Sequence, residues 1–204
     1  MPRFIGVDLT SSDKRRSTYA LLDTDLRVIS ICDLRTDAAI IAVIRLHRPD
    51  LVAIDAPLSR PKNPQRGRDC ERELNRRKIH IFPTTNKSFI KRLNSRGIKL
   101  KKALEKLRFK VIEVYPYASA TVLWSKGKPV PKKTKPEGIA WFRQQLRREI
   151  PYTKPYKKLN HDECDAIIAA NTAYLKHQKK TERIGYRDEG IIYIPCRQRS
   201  RSPV

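Results

Sequence analysis

Three carboxylates interrupt runs that otherwise have the composition of buried β-strands. Asp8 stands in Phe4-Ile-Gly-Val-Asp-Leu-Thr, Asp55 ends Leu51-Val-Ala-Ile-Asp before Ala-Pro, and Glu113 stands in Lys110-Val-Ile-Glu-Val-Tyr-Pro. A fourth, Asp165, lies in Asp162-Glu-Cys-Asp-Ala-Ile-Ile-Ala-Ala, whose composition reads as a helix. A carboxylate in or beside an apolar strand is costly unless it is paired or binds a cation. Any fold of this chain must therefore bring a partner to each of these acids.

The overall charge says what else is present. Lys and Arg number 45 against 21 Asp and Glu, a formal charge of +24 on 204 residues. An excess of one sign this large self-repels and attracts polyanions, of which nucleic acid is the leading candidate. A thermophile-like surface of solvated Lys and Arg usually balances the two signs, and this chain does not. An acidic membrane surface is disfavoured, because no long basic amphipathic helix carries large apolar residues opposite its charges. The start, Met1-Pro-Arg-Phe, has no charged-then-apolar signal segment. No apolar run approaches the roughly 20 residues that a membrane span needs. Cys32, Cys70, Cys164 and Cys196 are scattered and form no Cys-x-x-Cys pair, so zinc is not indicated. Reduced thiols and a cytoplasmic location fit this usage.

The length suits one domain, spanning 1–196, followed by a disordered basic tail at 197–204. Residues 4–10, about 17–23 and about 27–34 read as three strands joined by hairpin-length breaks, an antiparallel meander. Asp37-Ala-Ala-Ile-Ile-Ala-Val-Ile-Arg-Leu-His reads as an apolar helix capped by Thr36 or Asp37 and ended by Pro49. Leu51–Asp55 is continuously apolar up to its acid, as in a strand buried on both faces. Residues 58–88 hold several prolines and the bases Arg60, Lys62, Arg66, Arg68, Arg72, Arg76 and Arg77, and read as a basic insertion near Asp55 with a short helix over Asp69–Arg77. Helices are expected over 89–107, 117–125, 137–149 and His161–His177. A strand is expected at 110–115 and a terminal edge strand at Ile191–Ile194, while Lys126–Pro136 reads as a Lys/Pro linker with little reason to fold.

This succession of strands and helices is that of an α/β protein with an RNase H-like mixed β-sheet flanked by helices and a basic insertion after the fourth strand. In that fold Asp8 is on the central first strand, Asp55 ends the strand beside it, and Asp165 opens a helix that crosses the sheet. Five segments carry a family resemblance: Gly6-Val-Asp-Leu-Thr, Ala53-Ile-Asp-Ala-Pro-Leu-Ser, Arg68-Asp-Cys-Glu-Arg-Glu-Leu, Val111-Ile-Glu-Val-Tyr-Pro and His161-Asp-Glu-Cys-Asp-Ala. In them the chain resembles domain-of-unknown-function family 429, a group of predicted RNase H-fold nucleases. The last segment also resembles the closing motif of RuvC-type Holliday-junction resolvases. The resemblance implies a metal-dependent nuclease acting on DNA or RNA.

The residues suggest the same chemistry independently. Two divalent ions about 4 Å apart, held by carboxylates, can activate water and stabilise a leaving oxygen. Mg2+ or Mn2+ needs only a few carboxylates and keeps several waters. Asp8 is the choice for a bridging ligand, with Asp55 and Asp165 each completing one metal. Asp162 shares a helical face with Asp165, Glu113 adds a further carboxylate, and His161 can assist proton transfer. Lys132 and Lys133 join the bases of the insertion as candidate phosphate contacts. Each residue also has a structural alternative. Asp55 can initiate a turn, Asp162 can be a helix N-cap, and Glu113 can pair with an Arg of the insertion, as Arg68 can with Glu71. Two other functions remain. A non-catalytic nucleic-acid-binding module would explain the charge but not the acids. An ATP-binding protein of the sugar-kinase or Hsp70 type would need Gly-rich phosphate loops, which Asp8-Leu-Thr-Ser-Ser and a total of seven glycines do not supply.

Overall fold

The structure is a computed structural model that describes residues 1–85, 88–125 and 128–196; the expected tail at 197–204 lies outside the described residues. The elements in order are β1 (Arg3–Asp8), β2 (Ser17–Asp23), β3 (Val28–Leu34), α1 (Asp37–His47), β4 (Leu51–Asp55), α2 (Asp69–Arg76), α3 (Ser88–Lys106), β5 (Val111–Val114), α4 (Pro116–Trp124), α5 (Pro136–Glu149), α6 (His161–His177), β6 (Thr181–Ile184) and β7 (Ile192–Pro195). Seven strands form one mixed sheet in the order β3-β2-β1-β4-β5-β7-β6. The β1–β2–β3 meander is antiparallel, whereas β1, β4, β5 and β7 run parallel. This is the RNase H-like α/β architecture.

Pleating decides which side chain faces which layer, because successive strand residues point to opposite faces. Ile5 and Val7 of β1 and Val52 and Ile54 of β4 pack with Ile40 and Ile44 of α1 and Leu100 and Leu104 of α3. Phe4 and Ala53 point the other way and pack against Ala169 and Ala173 of α6. On that second face α4, α5 and α6 share a core through Trp124, Phe142, Leu146 and Ile167. By parity Asp8 and Asp55 face α6.

Gly6 sets how close that helix comes. A Cβ there would lie 2.1 Å from the Ala166 carbonyl oxygen and 2.2 Å from the Ala170 nitrogen. The α6 backbone therefore rests directly on β1, and any side chain at position 6 would lift it away.

Two segments depart from the sequence reading. The final strand β7 is not an edge: it pairs with β5 on one side and antiparallel with β6 on the other. The edge is Thr181–Ile184, which the sequence reading left out. The segment expected to be an unfolded linker is packed in its described part, residues 128–136. Val130 is buried in the core with Trp124 and Phe142, and the Lys132 carbonyl lies where any side chain at Gly138 would clash.

Candidate metal centre

The carboxyl ends of parallel strands are where open α/β sheets place their ligand crevices. Asp8 and Asp55 are the last residues of β1 and β4 and are direct register partners. Neighbouring strands are about 4.8 Å apart, so the two carboxylates, on the same face, are forced close together. From above, α6 adds Asp165 and Asp162. The helix start that aims them is fixed by a capping box. The Asn160 side chain accepts from Glu163 N at 2.9 Å, and Glu163 Oε2 accepts from Asn160 N at 2.7 Å. The N-cap is therefore Asn160. This overturns the reading of Asp162 as a cap and leaves its carboxylate free to face the cleft. Asp162 lines the cleft with Asp8, Asp55 and Glu113, and its Oδ1 lies 2.8 Å from Nδ1 of the exposed His161.

The electrostatics record the crowding. Burial, and then the charges of Asp55, Asp165 and Asp162, push the Asp8 carboxyl well above its ordinary pKa, and a hydrogen bond with Asp162 adds to this. Burial and then Asp165 raise Asp55, Lys133 opposes them, and Glu113 adds to the rise. Asp165 is raised chiefly by burial, against the pull of Lys133. These acids resist full ionisation in the absence of a cation, as expected for like charges sharing a site.

Lys133 provides positive charge here. Its Nζ binds Asp165 Oδ2, and both side chains are largely buried. This corrects the expectation that Lys133 is a surface phosphate contact. Asp165 Oδ1 is buried with no hydrogen-bond partner. Among the described residues, no three His, Cys, Asp or Glu side chains stand together as a ready-made metal cluster. The donor set nonetheless suits a hard divalent cation, being carboxylate oxygens only, one of them lacking a partner.

Glu113 and Arg68 serve a different purpose. Glu113 is the register partner of Ile54, so it points away from the Asp8–Asp55 face. It receives Arg68 Nη1 at 2.8 Å and Nη2 at 2.6 Å, and the Leu58 backbone N–H at 2.8 Å. Arg68 is fully buried and also donates from Nε to Glu71 at 2.8 Å and from Nη1 to Ser59 at 2.9 Å. Burial alone would lower the Arg68 pKa; Glu113 and Glu71 outweigh it and hold the guanidinium charged. Arg68 is thus not a nucleic-acid contact, and Glu113 is committed to this ion pair rather than to the Asp8–Asp55 pair. The network ties the insertion to the turn that follows Asp55.

Of the other expected phosphate contacts, several are already paired. Arg72 pairs with Asp69, Arg76 with Glu73, Arg77 with Glu73 and Glu182, and Lys62 with Asp188. Arg60, Arg66 and Lys132 are exposed. The sequence reading missed the apolar side of the cleft, where Ile81, Phe82, Phe89, Ile90 and Leu93 stand opposite the acids. Phe82 is 75% exposed. Its only sequence signal is an aromatic residue between His80 and Pro83 within an otherwise basic stretch.

A fold and an acid pair of this kind define a class, and comparison with known families narrows it. Residues 6–189 match the family described as "Protein of unknown function (DUF429)", and the chain belongs to that family. Among solved structures it is similar to RuvC of Thermus thermophilus in complex with a Holliday junction substrate. The TM-score is 0.53 with 11% identity, over 94% of this chain and 99% of the other. A second Thermus thermophilus RuvC structure gives 0.53 and 12%, covering 87% and 96%. At such identities the likeness establishes a RuvC-like fold. No curated protein matches the chain significantly.

Proposed function

We propose that this protein is a divalent-metal-dependent nuclease that hydrolyses phosphodiester bonds in DNA or RNA, with residues 1–196 forming one catalytic unit. One observation carries the reading: Asp8 and Asp55 are register partners at the carboxyl ends of adjacent parallel strands, with Asp165 near enough to raise both their pKa values. A +24 protein that buries like charges together at a cleft has a use for them there.

Asp8, Asp55 and Asp165 would hold Mg2+ or Mn2+, Asp8 being the shared ligand because β1 is central. When bound, such ions make water a nucleophile near neutral pH and stabilise the leaving oxygen of an in-line displacement. Lys133, paired with Asp165, supplies the counter-charge that a cation held by these carboxylates would replace. Asp162, whose hydrogen bond to Asp8 belongs to the protonated, metal-free site, would face the cation from α6. Its Oδ1 lies 2.8 Å from Nδ1 of the exposed His161, an imidazole that can take up or deliver a proton. The exposed Arg60, Arg66 and Lys132 would engage backbone phosphates on either side. The likeness in fold to a resolvase solved with a Holliday junction makes branched DNA the first substrate to test. The four free cysteines suit a reducing, cytoplasmic setting.

A second reading has an observation of its own. The Lys133–Asp165 pair already provides a counter-charge, as it would in a non-catalytic nucleic-acid-binding protein on the same frame. Junction, flap, duplex and single-stranded DNA and RNA incubated with Mg2+ or Mn2+ decide between the two. Cleavage that EDTA abolishes and Asp8→Asn removes supports the nuclease. Binding without cleavage of any of these supports the binder.

A further inference from the structure

A second cavity lies beside the acid cleft, on the side of α1 and α3. It is lined by Ser11, Ser12, Asp13, Thr36, Asp37, Arg92, Ser95, Arg96 and Lys99, and Ser11 also lines the acid cleft. Arg96 is its buried member, with a side chain 8% exposed. Nε donates to Asp37 Oδ1 at 2.8 Å, and Nη1 donates to the Thr10 carbonyl at 2.8 Å and to the Ser12 carbonyl at 3.1 Å. Nη2 is buried and has no partner. An orphaned guanidinium N–H is costly and calls for an acceptor.

The surroundings suit an anionic acceptor. Positions 92, 96 and 99 fall on one face of α3. Arg92 and Lys99 are exposed and make no ion pair among the described residues. The α1 N-terminus, capped by Thr36, brings its positive dipole end to the same cavity, and Ser11, Ser12 and Ser95 add hydroxyl donors. Two carboxylates oppose this: Asp37, which already accepts from Arg96, and the exposed Asp13.

We propose that this cavity binds a phosphate group, and that the phosphate belongs to the backbone of the nucleic acid bound in the acid cleft. The inference rests on the nuclease reading for its ligand but uses none of the residues assigned above. The β1–β2 turn connects the two cavities: it leaves Asp8, passes Thr10–Ser12 and is held from behind by Arg96. A chain crossing Ser11 would place one phosphate before the carboxylates and a neighbouring one before Arg92, Arg96 and Lys99.

The test uses a double variant, Arg92→Ala with Lys99→Ala, whose exposed side chains can be removed without opening the core. Fluorescence anisotropy in EDTA compares its affinity for labelled single-stranded, duplex and junction DNA with that of the wild type over a range of salt. Binding is expected to weaken at least about tenfold at 0.1 M salt, with the log–log salt slope reduced by about 1 for the one phosphate lost. Inorganic phosphate, tested by thermal shift, serves as the second probe: it should raise the Tm of the wild type and not that of the double variant. Phosphate stabilisation lost in the variant with unchanged DNA binding would assign the cavity to a free phosphate group and overturn the backbone assignment. Unchanged behaviour with both probes would overturn the site altogether. A wild-type protein that binds no nucleic acid would remove the functional reading and the backbone assignment together, whereas a failure of the variant alone leaves the acid cleft untouched.

Discussion

Replacing Asp8 by Asn should stabilise the metal-free protein. Asp8 and Asp55 are paired across adjacent parallel strands, about 4.8 Å apart. Two unit charges at that spacing repel by about 3.5 kcal/mol at an effective dielectric near 20. Partial protonation and the neighbouring Lys133 offset part of this, so a gain of about 2 kcal/mol is expected from Asp8→Asn at pH 8, or a rise in Tm of about 4–8 °C for a chain of this size. The pH dependence follows from the direction of the shift. The folded-state pKa of Asp8 is raised well above its ordinary value. Near pH 4 and below, Asp8 is protonated in the fold and costs nothing. As pH rises from the ordinary carboxyl pKa toward the raised folded pKa, the unfolded chain ionises before the native state does, so stability falls across that window and the loss is complete once Asp8 is ionised in both states. The Tm difference between Asp8→Asn and wild type should therefore be small at pH 4 and grow toward pH 8. Thermal unfolding in EDTA across that range measures it. A variant less stable than wild type at pH 8, or a difference that shrinks as pH rises, would refute the crowding of these carboxylates.

Other expectations concern the frame and the surface. Arg68→Ala leaves Glu113 and Glu71 buried without their partner, and urea denaturation should show a loss of about 3–5 kcal/mol; a loss below about 1 kcal/mol would mean the network contributes little. Asn160→Ala should cost about 1 kcal/mol by removing the α6 cap. Asp162→Asn should leave stability unchanged or raised while weakening Mn2+ binding in calorimetry, and a stability loss matching that of Asn160→Ala would restore the cap reading. Replacing the exposed Arg60 and Arg66 together by Ala should flatten the salt dependence of nucleic-acid binding by about 2. The same change at Arg76 and Arg77, already paired with Glu73, should flatten it less.

Most of the frame was legible because its signals were local. Leu51–Asp55 and His161–His177 follow from an unbroken apolar run and from helical apolar spacing, and they occur at those bounds. β6 was not legible: Thr-Glu-Arg-Ile is four residues of an edge strand whose outward positions are polar, so it carries neither alternation nor an apolar run. The site was half legible. An acid in an apolar strand announces a partner but does not name it. Asp8 and Asp55 share the α6 face, while Glu113 falls on the other parity of the pleat and meets Arg68. Charge was the weakest guide, because a basic residue reads alike whether it is solvated, as Arg60 is, or buried, as Arg68 and Arg96 are. Which Lys and Arg turn inward depends on carboxylates far away in sequence, such as Asp37 for Arg96 and Asp165 for Lys133.

The central claim is that Asp8, Asp55 and Asp165 hold a divalent cation which displaces Lys133. Anomalous diffraction from crystals soaked in Mn2+ tests it most directly. The account predicts a peak about 2.1 Å from oxygens of these carboxylates, with the Lys133 ammonium moved off Asp165. A fully soaked crystal with no peak there, and with Lys133 still bound to Asp165, would contradict it.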